Sequence, residues 1–209
     1  MSKIISDKLE IRNNVIKTAQ LYQEYLIDKH FLIIYDSRYI ELQFLPENYL
    51  HLTGVGTKLN AVTFFNLCIE NQLTTNQFFF NTRFPLKTSW KKVKNLSNVF
   101  NLFKKDSIIL EEITTDTQFY EIGITELHFT LCFKNFINNN NLYTVCSHRI
   151  ENMSASIVEK SKNAYFVDCI FSKNASDDKY NHIVFGSLES IKSETILNMI
   201  SNELISNCI

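Results

Sequence analysis

The chain has 209 residues, of which 45% are hydrophobic and 21% are charged, which excludes a disordered chain and leaves enough apolar material for a core. Its 4 Gly and 2 Pro are few for a barrel or sandwich of many short strands with tight turns. The formal net charge of −1 excludes a general electrostatic attraction to nucleic acid. We predict one domain covering residues 1–209.

The first predicted element is an amphipathic helix from about Asp7 to Asp28 that covers a sheet. Its apolar residues recur every three or four positions, at Ile11, Val15, Ile16, Ala19, Tyr22, Tyr25 and Leu26. The runs HFLIIYD and RYIELQFL follow, and they predict a β-hairpin with its turn at Asp36 and Ser37. Pro46 ends the second strand, because proline cannot donate to a sheet ladder.

The stretch NYLHLTGVGTKLNAVTFFNLCIENQL passes from extended to helical. Gly54 and Gly56 supply backbone freedom before a helical pattern begins near Leu59. A basic helix, SWKKVKNLSNVFNLFKK, comes next and has Thr88 or Ser89 as its N-cap. Its apolar face leaves the lysines in solvent and comprises Trp90, Val93, Leu96, Val99, Phe100 and Phe103.

The rest of the chain predicts strands and one last helix. The strand-like runs are SIILEEI, QFYEIGI, LHFTLCF, NLYTVCS, AYFVDCIFS and HIVFGS. A capped helix follows from about Ser190 to Ile205. The expected fold class is α+β, with N-terminal helices packed on an antiparallel β-sheet and a C-terminal helix.

The charges are segregated although they nearly cancel. One stretch has bases and no acid: Arg83, Lys87, Lys91, Lys92, Lys94, Lys104 and Lys105. The next has acids and no base: Asp106, Glu111, Glu112, Asp116, Glu121 and Glu126. One interpretation is a solvated helix face beside an acidic strand pair, and the other is a phosphate-binding stripe beside an acidic wall.

Cysteine usage and the N-terminus predict a cytoplasmic protein. The 5 cysteines are scattered and form no CxxC pattern: Cys68, Cys132, Cys146, Cys169 and Cys208. We expect reduced core thiols, no metal site and no cofactor. The N-terminus is charged and no apolar run approaches the ~20 residues that cross a bilayer, so we expect no membrane contact.

The densest group of chemically useful residues lies in HLTGVGTK. A strand-to-helix turn there could direct backbone N–H groups, the Thr53 hydroxyl and Lys58 at one anion, with His51 alongside. The pattern is not a P-loop, which requires GxxxxGK[ST]. Alternatively the glycines only form a turn and His51 caps or packs.

Two other candidates lie near strand ends. Ser147, His148 and Arg149 close one strand near Glu151, and adjacent residues of a strand face opposite sides, so at most one of His148 and Arg149 points into a given cleft. In FSKNASDDKYNHIVF the candidates are Ser172, Lys173, Tyr180 and His182, with Tyr180 and His182 expected on one strand face. Both groups could equally be structural or solvated. His30 and His128 are interpreted as packing or strand-end residues.

Several segments together resemble a known family. They are NYLHLTGVGTKLNAVTFFNLCIENQLT with its HLTG turn, the basic helix, LYTVCSHRIENM and CIFSKNASDDKYNHIVF. These segments resemble the phage-associated nucleases grouped with barnase, EndoU, tRNA-cleaving colicins and RelE, over roughly residues 25–187. The resemblance implies helices before an antiparallel sheet whose face cleaves RNA without a metal, and an origin in a phage or mobile element.

The resemblance implies a division of labour for cleavage by the 2′-OH of RNA. His51 or His148 would perform the acid–base work, and Lys58, Arg149 and Lys173 would stabilise the phosphate. Thr53, Ser147 and Tyr180 would position the substrate, with Gly54, Lys91, Lys92 and Lys94 as further binding residues. The implied partner is RNA, with tRNA among the candidates, and a toxin would also have an antitoxin.

A second hypothesis for the function is a binding protein without catalytic activity. The protein would then be a counter-defence inhibitor or a degenerate nuclease domain, and it would bind a defence protein or other partner through its segregated charges. Convergence of Lys58, His148 and Lys173 in one cleft would favour catalysis, and dispersion would favour binding. A nucleotide-binding enzyme is a weaker third reading, because no acidic metal-binding motif accompanies HLTGVGTK.

Overall fold

The computed structural model describes residues 3–103, 106–115, 118–126, 128–136, 141–150 and 154–206. The helices are α1 (Lys3–Tyr25), α2 (Pro46–Thr53), α3 (Ala61–Ile69), α4 (Leu86–Leu96), α5 (Ser154–Glu159), α6 (Glu194–Met199) and α7 (Asn202–Ser206), with 3-10 helices at Ser97–Asn101 and Leu188–Ser190. The strands are β1 (Lys29–Tyr35), β2 (Arg38–Gln43), β3 (Gly56–Thr57), β4 (Phe78–Phe79), β5 (Ile108–Thr114), β6 (Phe119–Thr125), β7 (Thr130–Asn135), β8 (Leu142–Arg149), β9 (Asn163–Phe166), β10 (Cys169–Asn174) and β11 (His182–Phe185).

Within the described residues, 9 strands form one curled sheet in the order β11-β10-β1-β2-β8-β7-β6-β5-β9. Neighbouring strands are antiparallel except β2 and β8, which run parallel. A parallel neighbour cannot be reached by a tight hairpin. The chain between β2 and β8 therefore has room for α2, α3 and α4, and α2 packs against β8.

The N-terminal helices cover one face of the sheet, as predicted. The apolar stripe of α1 is buried there, including Val15, Ala19 and Tyr22. Each large side chain removed from water in this layer contributes on the order of 1.5–3 kcal/mol. The predicted first helix is thereby confirmed, and it begins a few residues earlier than the pattern indicated.

The predicted β1–β2 hairpin is also confirmed. Asp36 and Ser37 form its turn with φ angles of 48° and 59°, the pair of left-handed residues that a two-residue hairpin turn requires. Arg38 donates to Glu111 at 2.8 Å, which ties the turn to the distant strand β5. This link and the hydrogen bond from the Asp168 N–H to the Ile34 carbonyl at 2.8 Å help to hold the sheet in its curled form.

The C-terminal segment covers the other face of β1 and β10, but the prediction of one continuous helix is wrong. Helix α6 ends at Met199 and α7 begins at Asn202, because Ile200 is extended and forms a bridge with Tyr180. The bridge has two backbone hydrogen bonds of 2.9 Å each. Ile200 is fully buried in a cluster with residues of β1 and β10, which a continuous exposed helix would not provide.

The run AYFVDCIFS forms two strands instead of the predicted one. Strand β9 pairs with β5 and β10 pairs with β1, at distant places in the sheet order. Val167 and Asp168 cross between them, hydrogen-bonded to Ser107 and Ile34 respectively. The short helix α5 was not predicted. The α+β class with terminal helices is confirmed, and none of the described helices is long and apolar enough to cross a membrane.

Candidate nucleic-acid cleavage site

A cleft of about 340 Å³ lies between α4 and the end of β8. We call it the central cleft, and its lining is Thr88, Lys91, Lys92, Ser147, His148, Arg149 and Ile150. Ser89 of α4 donates to the Gly54 carbonyl at 2.7 Å, and this bond seats the helix beside the end of α2. The fold thus brings together Lys91, Lys92 and the triplet at positions 147–149, all of which the sequence singled out. The expectation that at most one of His148 and Arg149 faces a given cleft is wrong, because the cleft lies at the end of β8 and both residues line it.

His148 forms the floor of the central cleft and is completely buried. Its Nδ1 lies 3.3 Å from the Leu52 carbonyl. Since a carbonyl only accepts, Nδ1 carries the proton and Nε2 presents a lone pair. Nε2 is buried and has no hydrogen-bond partner among the described residues. An unsatisfied buried polar atom costs on the order of 1–3 kcal/mol, and a donor that reached Nε2 would remove this cost.

The charge state of His148 follows from its surroundings. Burial is the main cause and the positive charge of Lys92 the second cause that lower its pKa to about 3, against a smaller opposing effect of the hydrogen bond to the Leu52 carbonyl. Phe129 packs edge-on against the imidazole with ring centroids 5.3 Å apart. His148 is therefore a neutral, rigidly held acceptor at neutral pH.

Two cations stand beside this acceptor. Lys92 is half-buried, and its pKa is lowered first by desolvation and then by the nearby charge of Arg149. Arg149 makes a cation–π contact with Tyr120, with its guanidinium carbon 5.9 Å from the ring centroid. Two neighbouring positive charges in a partly buried cleft repel each other, and an anion between them relieves that repulsion.

Two further clefts adjoin the central one. The α2–α4 cleft, of about 260 Å³, shares Thr88 and Lys92 with it and is lined by Leu50, His51, Gly54, Val55, Thr57, Arg83, Phe84, Pro85, Thr88 and Lys92. The α2–β7 cleft, of about 500 Å³, shares Ser147 with the central cleft and is lined by Glu47, Asn48, His51, Ala61, Gln118, Lys134, Cys146 and Ser147. His51 lies on the rim common to these two clefts. Burial lowers its pKa, and Lys134 and Lys92 lower it further.

The prediction of a strand-to-helix turn at HLTGVGTK is wrong. His51, Leu52 and Thr53 are the last residues of α2, and Gly54 is its left-handed C-cap with φ 72°. The end of a helix presents carbonyl groups and a partial negative charge, which repel an anion. The carbonyls of Leu52 and Gly54 instead accept hydrogen bonds from His148 and Ser89 respectively. This segment therefore supports the cleft and does not cradle a phosphate.

Two residues of that segment stand apart from the central cleft. Thr53 is buried, donates to the Leu50 carbonyl at 2.7 Å and accepts from the Val55 N–H at 3.3 Å, so its hydroxyl serves the helix end. Lys58 is exposed and is not part of the lining of the three clefts. The predicted positioning and phosphate roles find no geometric support at these two positions.

Helix α4 begins earlier than predicted. Pro85 is the N-cap, with φ −67° already suited to a helix start, so Thr88 and Ser89 lie inside the helix and the predicted cap is wrong. The lysines of α4 also differ in their exposure to solvent, which the sequence pattern did not indicate. Lys91 and Lys92 are half-buried in the central cleft, whereas Lys94 is exposed with its Nζ 4.8 Å from the Trp90 ring centroid.

The third predicted group does not reach the central cleft. Tyr180 is buried and donates to Glu41 at 2.6 Å, with Lys173 5.0 Å from its ring centroid. Ser172 and His182 line a separate pocket of about 270 Å³. The expectation that Tyr180 and His182 share a strand face is wrong, because Tyr180 precedes β11 and bridges to Ile200.

Two residues of the predicted acidic wall, Glu111 and Glu112, are already paired with basic side chains of the protein. Glu111 accepts from Tyr35 at 3.1 Å and from Arg38 at 2.8 Å, and Glu112 pairs with Lys162 at 2.8 Å. His30 is half-buried in β1 and His128 is exposed just before β7. Other residues of these predictions lie outside the described part of the chain: Lys104, Lys105, Asp116, Glu151 and Cys208.

The sequence did not single out several residues that line the adjoining clefts. Arg83 was only one member of the basic run, and Lys134 and Gln118 carried no local signal. Lys134 joins the clefts through strand register, since it lies opposite Thr144 of β8. Periodicity alone does not specify which strands become neighbours, so this residue was not predictable.

Metal-ligating side chains are dispersed. Within the described ranges, there is no group of three or more His, Cys, Asp or Glu residues arranged to hold a metal ion. Cys68, Cys132, Cys146 and Cys169 are reduced thiols.

Comparison with known proteins identifies the family. A family described as phage-Barnase-EndoU-ColicinE5/D-RelE like nuclease4 matches residues 14–189, a range that includes every residue lining the three clefts. No curated protein and no solved structure matches the chain. The resemblance predicted from the sequence is confirmed. The chain belongs to the phage-Barnase-EndoU-ColicinE5/D-RelE like nuclease4 family.

Proposed function

We propose that the protein is a metal-independent ribonuclease of phage or mobile-element origin that works in the cytoplasm. Membership of the family supports a nuclease acting on nucleic acid. The observation that carries the proposal is the central cleft, where a buried histidine acceptor lies beside two cations. The choice of RNA rests on the chemistry of a histidine acceptor beside cations, because RNA supplies its own 2′-OH nucleophile.

The proposed reaction uses three groups of the cleft. Nε2 of His148 accepts the proton of the 2′-OH, whose oxygen forms a bond to the adjacent phosphorus. Lys92 and Arg149 stabilise the negative charge that develops on the phosphorane. The bond from phosphorus to the 5′ oxygen breaks, and that oxygen takes a proton from Lys92. The products are a 2′,3′-cyclic phosphate and a free 5′-OH.

The low pKa of His148 does not exclude this role. A bound phosphate supplies negative charge beside Lys92 and so offsets one of the two causes that lower the pKa. The histidine then becomes a stronger base only when substrate is present. We assign the donor role to Lys92 because it lines the same cleft, whereas His51 lines the two adjoining clefts.

The test is incubation of the purified protein with RNA, with and without EDTA, followed by a denaturing gel and an assay for 2′,3′-cyclic ends. We expect fragments that survive chelation. His148→Ala and Lys92→Met should each reduce the rate by about 100-fold or more, as loss of acid–base or charge-stabilising groups does. His51→Ala should have a smaller effect if Lys92 is the donor.

Lys17→Met is the matched control, since Lys17 is an exposed lysine of α1 outside the clefts. Because His148 is buried, near-ultraviolet circular dichroism must show that each inactive variant is folded. Cleavage that requires a divalent cation would contradict the proposal. Equal activity of folded His148→Ala and wild-type protein would do so as well.

One observation favours the second reading, a binding protein that acts through its charged surface. Lys58 and Lys173 do not join His148 in one cleft, and that dispersion is what a non-catalytic protein would show. RNA that is bound in a filter assay but remains intact would support this reading. A pull-down for a protein partner, such as an antitoxin or a defence protein, would then follow.

A further inference from the structure

The three clefts are connected to one another through shared residues. Lys92 and Thr88 line both the central cleft and the α2–α4 cleft. Ser147 joins the central cleft to the α2–β7 cleft, and His51 joins the two outer clefts. The central cleft and each neighbouring cleft are therefore adjacent and share part of their walls, so a ligand longer than one nucleotide can extend from the proposed reaction centre toward a neighbouring cleft.

The connected clefts carry a strong excess of positive charge. Their basic lining residues are Arg83, Lys91, Lys92, Lys134 and Arg149, with His51 between them. Glu47 is the one acidic residue in the described lining. The protein as a whole has a net charge of −1, so this concentration is local and does not follow from composition.

The α2–α4 cleft contains a pair suited to one nucleotide. The guanidinium of Arg83 lies 5.5 Å from the ring centroid of Phe84, and Arg83 itself is exposed. Phe84 packs against Phe79 with centroids 6.2 Å apart, which fixes its ring at the cleft wall. A planar cation beside an aromatic ring can bind a phosphate and stack a base together.

We propose that the three clefts form one track for a single-stranded nucleic acid. The central cleft holds the phosphate that is cleaved, and the α2–α4 cleft holds the neighbouring nucleotide through Arg83 on its phosphate and Phe84 on its base. This assignment rests on the proposed ribonuclease function for the location of the reaction centre. It adds that the substrate is an unpaired strand. It also adds a subsite in the α2–α4 cleft, which the reaction itself does not require.

An unpaired strand fits this surface better than a duplex. Lys92 is half-buried in the central cleft, so a phosphate must enter the cleft to reach it. The outer clefts have volumes of about 260 and 500 Å³, which are close to the lower part of the range of about 300–1,000 Å³ that small-molecule sites occupy. The phosphates of a duplex lie on a stiff convex surface, whereas the backbone of a single strand can bend and place its bases in pockets.

The test measures binding separately from cleavage. Fluorescein-labelled oligodeoxynucleotides lack the 2′-OH and cannot be cleaved by transesterification, so their affinity reports the track alone. Fluorescence anisotropy should show binding that strengthens from two to about six nucleotides and exceeds that of a duplex of equal length. Arg83→Ala should weaken binding of the six-nucleotide strand by about tenfold, the effect of losing one charge-assisted contact.

Controls and salt dependence separate this subsite from general charge. Arg83→Ala should leave dinucleotide binding unchanged, and Lys17→Ala should leave every affinity unchanged. The slope of log affinity against log salt should fall in magnitude by about 0.7 in Arg83→Ala, as expected for one phosphate contact on a single strand. Phe84→Leu should weaken the longer strand selectively without altering that slope.

The outcomes distinguish this inference from the proposed function. Equal six-nucleotide affinities of Arg83→Ala and wild-type protein, or tighter binding of duplex than of single strand, would overturn the track. Intact RNA with a length-dependent, Arg83-dependent affinity would overturn the ribonuclease and keep the track as a binding surface. Cleavage of RNA that is unaffected by Arg83→Ala at every substrate length would keep the ribonuclease and remove the track.

Discussion

At the scale of single residues, the unusual feature is a histidine that the fold keeps neutral and without a partner for one of its ring nitrogens. Burial of His148 lowers its pKa to about 3, and Nε2 lacks a hydrogen bond within the described residues. Perturbed ionisable groups in clefts are enriched at functional sites. Holding His148 neutral and with Nε2 unbonded costs free energy, so we expect this residue to influence the free energy of unfolding.

The stability of the protein should depend on the protonation of His148. Its pKa is about 3 when folded and near its ordinary value of 6.5 when unfolded. Between these two values the unfolded chain binds more protons, so the free energy of unfolding falls as pH decreases from 6.5 toward 3. We expect a loss of up to about 1.4 kcal/mol per pH unit, measured by urea denaturation at pH 7, 6 and 5.

The variant that tests this assignment is His148→Gln, which cannot take up a proton, with His148→Asn as a second choice if the first does not fold. The pH dependence below 6.5 should be clearly weaker in the variant. An unchanged dependence would assign the effect to other histidines, such as His30 and His51, whose pKa values are also lowered by burial.

Gly54 is a second residue whose replacement has a defined effect. Its φ of 72° disfavours a side chain, and a Cβ there would lie 2.9 Å from Cδ of Lys92. Gly54→Ala should lower the free energy of unfolding by about 1 kcal/mol or more and also reduce RNA cleavage by displacing Lys92. Urea denaturation and the cleavage assay check the two effects.

Gly54→Asn separates them, because asparagine tolerates left-handed backbone but still meets Lys92. This variant should lose less stability than Gly54→Ala and a similar share of activity. Full activity in both variants would contradict the positioning of Lys92 by the end of α2.

At the scale of elements, the ends of helices and strands matter more than their middles. The end of α2 supplies the carbonyl that orients His148, and the end of β8 supplies His148 and Arg149. The β1–β2 hairpin is similarly decided by its turn, where two non-glycine residues adopt left-handed backbone.

The hairpin turn can be made more favourable by one substitution. Ser37 has φ 59° and is exposed, so Ser37→Gly removes the strain of a side chain in left-handed backbone without removing packing. We expect the free energy of unfolding to rise by about 0.5–1 kcal/mol. Thermal and urea denaturation of the purified variant provide the measurement.

Ser97→Gly is the matched control, since Ser97 is also exposed but has an ordinary φ of −64°. Glycine at that position should stabilise nothing and should cost about 0.5–1 kcal/mol, because it adds freedom to the unfolded chain. A gain in both variants, or in neither, would show that the backbone conformation of Ser37 is not the cause.

At the scale of the whole molecule, segments outside the family match complete the core. Helix α1 begins before residue 14, and α6 and α7 lie after residue 189. Ile191, Ile196 and Ile200 are buried against the side chains of Leu32, Ile34 and Phe171. This continuity supports the proposal of a single domain over residues 1–209.

Removal of the C-terminal segment provides a test of that proposal. A chain of residues 1–189 would expose Leu32 and Phe171, which are completely buried in the full chain. We expect a melting temperature lower by more than 10 °C, or failure to stay in solution, since several buried isoleucines contribute about 1.5–3 kcal/mol each. A shortened protein as stable as the full chain would contradict the single-domain proposal.

The sequence by itself determined the elements that depend on local pattern. The spacing of Val15, Ala19 and Tyr22 predicted α1, and the alternation around Asp36 and Ser37 predicted the hairpin. The motifs also predicted the family and the α+β class. These features are encoded over a few neighbouring residues, which is why no structure was needed to find them.

Only the tertiary structure decided which residues meet. HLTG became a helix end because α2 packs against β8, and the C-terminal helix broke because Ile200 pairs with Tyr180. Lys92 and His148, far apart in the chain, share a cleft, while Lys58 and Lys173 do not join them. Such neighbours depend on sheet order and strand register, and these arise from long-range packing that local periodicity does not encode.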